Sequence, residues 1–246
     1  MKAEHASQLL LLDVQAADTA LAQLAHRRAN LPELSALAEL ASEDAALEHE
    51  LVDARTELAD IEAEQTRLDG EIEAVRARAS RDEARLASGG LPAKELESLQ
   101  HEVATLARRQ SSLEDEVLEV MEQREGTEAA LGVLTARRDE HTARRGELEA
   151  ARDAEFTGID ATSAERAAAR AQLAQGLPAD LLALYEKARG NGGGIGAAEL
   201  SARRCQGCHI ELSGSELSAV RAAAEDEVVR CDNCRRILVR TAESGL

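Results

Sequence analysis

Leu86-Ala87-Ser88-Gly89-Gly90-Leu91-Pro92-Ala93-Lys94-Glu95-Leu96 decides the fold, because it interrupts a leucine-rich heptad that resumes on its far side. Two glycines suit the left-handed end of one helix and a proline suits the first turn of the next, so the chain reverses here. Upstream the seam runs through Leu37, Leu40, Asp44, Leu47, Leu51, Ala54, Leu58, Ile61, Gln65, Leu68, Ile72, Val75, Ala79, Asp82 and Leu86. Downstream it runs through Leu96, Leu99, Val103, Leu106, Gln110, Leu113, Val117, Val120, Arg124, Thr127, Leu131 and Leu134, fading toward Leu148. Spacing of three and four, sustained over both arms, specifies a left-handed coiled coil.

Folding one arm onto the other pairs residues whose numbers total 178: Ile61 with Val117, Leu58 with Val120, Ile72 with Leu106 and Val75 with Val103. The same register sets Gln65 opposite Leu113 and Gln110 opposite Leu68, adjacent layers in which the two amides can bond and fix the alignment. Ala54 then makes room for the long stem of Arg124. The first arm, from Glu33 to Ala87, is a rod of roughly 80 Å at about 1.5 Å per residue. It is a spacer rather than a pocket.

Toward the N-terminus, Leu10, Val14, Ala17, Leu21 and Leu24 mark one helical face. Asn30-Leu31-Pro32-Glu33 breaks that helix, with Asn30 expected to cap the helix after it. Beyond Leu148 the stripe drifts to Phe156, Ile159 and Leu173, against which the N-terminal helix is expected to pack. Gln175-Gly176-Leu177-Pro178 marks a boundary, giving a helical hairpin region over 1–178 and a small C-terminal domain over 179–246. Leu181, Leu182, Leu184 and Tyr185 lie on a lead-in helix. Gly190 to Gly194 form a turn, and strands are expected near Ile195–Arg204, Val228–Val229 and Ile237–Val239. Ser213 caps a helix reaching Ala224.

The small domain holds the chain's four cysteines, Cys205, Cys208, Cys231 and Cys234, as two Cys-x-x-Cys knuckles. That spacing sets four thiolates around one ion, the donor set of a structural zinc with no open position. Cys205-x-x-Cys208-His209 also spells a haem attachment motif, but Met121 is far away on a helix and the start of the chain contains no secretory signal pattern. His209 is read as lying just outside a filled coordination shell.

Charge separates the regions. The net charge is −18. The nine Lys or Arg and ten Asp or Glu after residue 179 nearly cancel, so about −17 belongs to the helical region. That region repels polyanions, whereas Arg203, Arg204, Arg230, Arg235, Arg236 and Arg240 surround the cysteines and are candidates for phosphate or partner contact. Leu9 to Leu12 is too short an apolar run to span a membrane. Metal-binding cysteines without an export signal point to the reducing cytoplasm.

Together, Cys205 to Leu212 and Val228 to Leu238 resemble the bacterial C4-type zinc-ribbon proteins that carry a long N-terminal coiled-coil hairpin. Segments Leu182–Arg189 and Lys94–Glu102 are similar as well. The expected fold is mainly α: a long antiparallel coiled-coil hairpin followed by a small α+β zinc ribbon. The resemblance implies a cytosolic, non-catalytic protein; members include a flagellar regulator that partners an alternative sigma factor and binds a flagellin transcript, and a chlamydial relative is similar. Ser213-Gly214-Ser215 and Arg235 depart from the family pattern without touching a metal ligand. Three readings remain: a zinc-binding adaptor or chaperone with a protein partner, a nucleic-acid-binding regulator, or a purely structural spacer. The chain is expected as a monomer or a coiled-coil dimer.

Overall fold

The computed structural model describes residues 1–246. Five helices, α1 (His5–Ala29), α2 (Pro32–Ser88), α3 (Ala93–Gln175), α4 (Ala179–Asn191) and α5 (Gly214–Ala222), accompany four short strands, β1 (Ala197–Ser201), β2 (Arg204–Cys205), β3 (Val229–Arg230) and β4 (Ile237–Arg240). The residues cluster into two compact units, Ser35–Leu148 and the combination of Met1–Leu34 with Glu149–Leu246.

In the unit of residues 35–148, α2 ends at Ser88, and Gly89 and Gly90 take φ of 72° and 81°, a conformation open to glycine at little cost. The hairpin forms as the heptads require, with Leu68, Ile72 and Leu113 buried against Val75, Val117 and Val120. Its register differs by one heptad from the sequence expectation. Pairs on one flank total 180 (Glu71 with Arg109, Arg78 with Glu102, Arg85 with Glu95). Those on the other total 189 or 190 (Arg145 with Asp44, Arg124 with Gln65, Arg76 with Glu114). The seam between them therefore runs at 185, as the direct contact of Asp44 with His141 at 2.7 Å does. Leu68 thus faces Val117 and Ile72 faces Leu113.

The physical reason is that a slip of seven residues leaves every seam residue facing the seam, so the stripe cannot choose between 178 and 185. Polar layers and flanking charges choose instead. The expected pairing of Gln65 with Gln110 is lost: Gln65 accepts from Arg124 at 3.5 Å and Gln110 donates to Glu114 on its own helix at 2.8 Å.

In the other unit a single four-stranded sheet has the order β2-β1-β4-β3, with β1 and β4 parallel and both outer pairings antiparallel. Alternation along β1 and β4 divides two cores, as successive side chains of a strand must. Ala197, Ile237 and Val239 face Leu11 and Val14 of α1 and Leu181 and Tyr185 of α4. Ala198, Leu200 and Leu238 face Leu212, Val220 of α5 and the cysteines. A ribbon too small to stabilise itself by apolar burial thus gains a second core from α1 and α4.

The buried face of α1 is rotated from the expected stripe. Val14 is buried, but its companions are Gln8, Leu11, Gln15 and Asp18 rather than Leu10, Leu21 and Leu24. The polar members Gln15 and Asp18 are satisfied, which permits their burial. Gln15 Oε1 accepts from the backbone N–H of Gly196 at 2.7 Å and from the Tyr185 hydroxyl, while its amide donates to the Gly194 carbonyl. Asp18 accepts from Tyr185 at 2.7 Å and from Arg170 at 3.1 Å. Farther along, Arg27 pairs with Glu155, and Arg28 bonds Asp160 and stacks 4.1 Å from the Phe156 ring, which is the expected packing of the first helix on the end of α3. Asn30 closes α1 through the His26 carbonyl instead of opening α2, which Pro32 starts.

Candidate metal centre

Each knuckle leaves a strand at its first cysteine and turns back at once. Cys205 ends β2, and the N–H of His209 closes the turn on its carbonyl at 2.7 Å; Cys231 comes directly after β3, and the N–H of Arg235 closes on its carbonyl at 2.8 Å. The closing residues have φ of 61° and 64°. Left-handed backbone costs a side-chain-bearing residue, and here both knuckles accept that cost in the same way.

The turns aim amides at sulfur. Cys205 Sγ receives the N–H groups of Gly207 and Cys208, Cys231 Sγ those of Cys234 and Asn233, and Cys234 Sγ that of Arg236. Gly207 and Asn233 are the small and polar residue types that a tight turn around sulfur requires. All four Sγ atoms lie within 4.8 Å of one another, with Cys205–Cys234 and Cys208–Cys231 both at 3.9 Å. A zinc–sulfur bond of about 2.3 Å gives a tetrahedral S–S edge of about 3.8 Å, so the donor set fits zinc. Burial pushes the Cys205 thiol up to about 12 against the amide bonds, and burial likewise raises Cys231. For Cys234 burial is outweighed by the Arg236 amide and the neighbouring thiols, and its value falls. A divalent ion held by Cys205, Cys208, Cys231 and Cys234 would favour the thiolate form of all four. No histidine nitrogen joins the cluster, and His209 is exposed.

The six flanking arginines do different things. Arg236 gives its whole guanidinium to backbone carbonyls: Gly207 of the first knuckle at 2.7 Å, and Gly192 and Ile195 of the α4–β1 loop at 2.5 and 3.1 Å. Arg240 caps the C-terminal end of α5, donating to the carbonyls of Ala223, Ala224, Glu225 and Glu227. Both act as internal braces of the small domain. Arg203, Arg204, Arg230 and Arg235 are exposed; Arg203 and Arg230 each make a single bond to a nearby carbonyl through Nε.

A family model described as the CT398-like coiled coil hairpin domain matches residues 14–193. The chain belongs to this family. A C4-type zinc ribbon domain matches residues 204–238, so the cysteine cluster is that of one structural zinc. An uncharacterized protein of Mycobacterium tuberculosis is 40% identical over 243 residues, 98% of each chain, and one of Mycobacterium leprae is 33% identical over 217 residues, 87% of this chain and 91% of the relative. A solved structure from Mycobacterium smegmatis superposes with a TM-score of 0.88 at 39% identity, covering 98% of this chain and 100% of its own. CT398 from Chlamydia trachomatis shares the fold, with a TM-score of 0.73 at 19% identity over 96% of this chain and 98% of its own. No helix is long and apolar enough to cross a membrane.

Proposed function

We propose that the chain is a non-catalytic adaptor of a reducing compartment, with the hairpin as its protein-interaction arm and the zinc ribbon as a metal-stabilised docking tip. The observation that carries this is a centre whose four positions are all thiol sulfur, within 4.8 Å of one another, leaving zinc none for a water or substrate. Zinc supplies cross-linking of the two knuckles; the chain supplies their amide-lined turns. A surface of long helices offers extended area for a partner.

Two of the six arginines near the metal are committed to the fold, which favours a protein at the tip over a phosphate backbone. The test is a pull-down from native cytosol with the full zinc-loaded chain, a Cys231→Ser chain and an Arg203→Gln/Arg204→Gln/Arg235→Gln chain, each with and without nuclease. The expected result is a protein retained after nuclease, with tip partners lost in the cysteine variant. Nuclease-sensitive retention that the triple variant abolishes would overturn the proposal in favour of nucleic acid, whose binding would also fall steeply with salt.

A further inference from the structure

The ion pairs lacing one flank of the hairpin stop short. Glu71–Arg109, Arg78–Glu102 and Arg85–Glu95 set the pairing, and continuing it puts Glu64 opposite Glu116, Glu57 opposite Gln123 and Glu50 opposite Ala130. The cations have run out. Asp53, Glu57 and Asp60 form no ion pair, and they repel one another at spacings of four and three along α2. Only Glu64 keeps a cation, Arg67 at 2.5 Å.

The seam beside them is also open. At register 185 Leu58 faces Thr127 and Ile61 faces Arg124, whose guanidinium turns away from Ile61 to Glu128 at 2.9 Å and Gln65 at 3.5 Å. A groove of about 490 Å³ results, with Ile61 and Val120 as its apolar floor and Asp53, Glu57, Asp60 and Glu64 along its rim. From residue 53 to 64 the rim runs about 16 Å, three turns of a docked helix.

We propose that this groove docks a basic amphipathic helix of a protein partner, its apolar stripe on Ile61 and Val120 and its Lys or Arg residues against the unpaired carboxylates. This rests on the reading of the hairpin as a protein-interaction arm. Complementary charge selects the occupant: a polyanion is repelled, and an uncharged helix would leave the rim carboxylates without partners.

The test uses the full zinc-loaded chain and a fluorescent 18-residue Leu/Lys helical peptide, with a scrambled peptide of equal composition. Anisotropy should show the helical peptide binding at least tenfold tighter than the scramble. Asp53→Asn/Glu57→Gln/Asp60→Asn should weaken it at least tenfold, while Glu122→Gln/Glu125→Gln on α3 should change it less than twofold. The triple variant should melt no lower than the parent, since its repulsion is gone, which separates loss of binding from loss of fold. Equal binding of the scramble, equal weakening by the α3 variant, or a change in self-association in the triple variant would each overturn the proposal. If the groove fails while the pull-down still retains a protein after nuclease, the adaptor reading stands and only this placement falls.

Discussion

Arg235 and Arg236 are neighbours of identical chemistry whose replacement by glutamine should have very unequal consequences. Arg236 is half-buried and donates to three carbonyls, at 2.5, 2.7 and 3.1 Å, that belong to the opposite knuckle and to the α4–β1 loop. A net contribution of about 1.5 kcal/mol for each bond from a charged donor, the low end suited to partial exposure, gives about 4.5 kcal/mol before any relaxation. Metal binding and folding are linked in a small metal-binding ribbon, so such a loss should appear in its metal affinity, about tenfold for each 1.4 kcal/mol. The shorter glutamine amide can still satisfy one carbonyl, so Arg236→Gln should weaken zinc binding about a hundredfold. Arg235 is exposed and its nearest acid, Asp232, lies at 3.9 Å, so Arg235→Gln should stay within threefold. The assay is competition for zinc against a chromophoric chelator with the full chain under reducing conditions. An Arg236→Gln chain within threefold of the parent would refute the brace.

Cysteines replacing Leu68 and Val117 should crosslink within a monomer, and those replacing Leu58 and Val120 should not, because facing positions total 185; the reverse pattern would restore the register at 178. Tyr185 is the chain's sole tyrosine, and burial together with its bond to Asp18 raises its pKa from an ordinary 10.0. Its contribution is full below pH 10 and is lost as pH climbs toward the raised value, so tyrosinate absorbance should appear only along with unfolding; ionisation near pH 10 in an intact fold would contradict the buried network. Stripping zinc should release the knuckles yet leave the hairpin's circular dichroism, since residues 35–148 form their own compact unit; collapse of helicity throughout would remove that independence.

Legibility in the sequence tracked the strength of each periodic or spacing signal. The heptads and Gly89-Gly90 fixed both long helices and their reversal, and the Cys-x-x-Cys pairs fixed the donor set. Register escaped because seven residues is the repeat itself; the Asp44–His141 layer and the flanking pairs that decide it carry no periodic mark. The docking of α1 escaped for another reason. Gln8, Gln15 and Asp18 have the polarity of surface residues, and for Gln15 and Asp18 only the partners brought by distant segments, Gly196, Tyr185 and Arg170, permit their burial. The spacing Gln8, Leu11, Val14, Gln15, Asp18 was a usable helical signal had polar residues been allowed on a buried face. Arg236 and Arg240 likewise look identical to the exposed arginines beside them, because a backbone brace is defined by where carbonyls end up in space.

The most direct test of a closed, non-catalytic centre is X-ray absorption at the zinc edge on the full chain, together with metal analysis. The account predicts one zinc per chain with four sulfur neighbours at about 2.3 Å and no lighter ligand. A nitrogen or oxygen in the coordination shell, or fewer than four sulfurs, would contradict it.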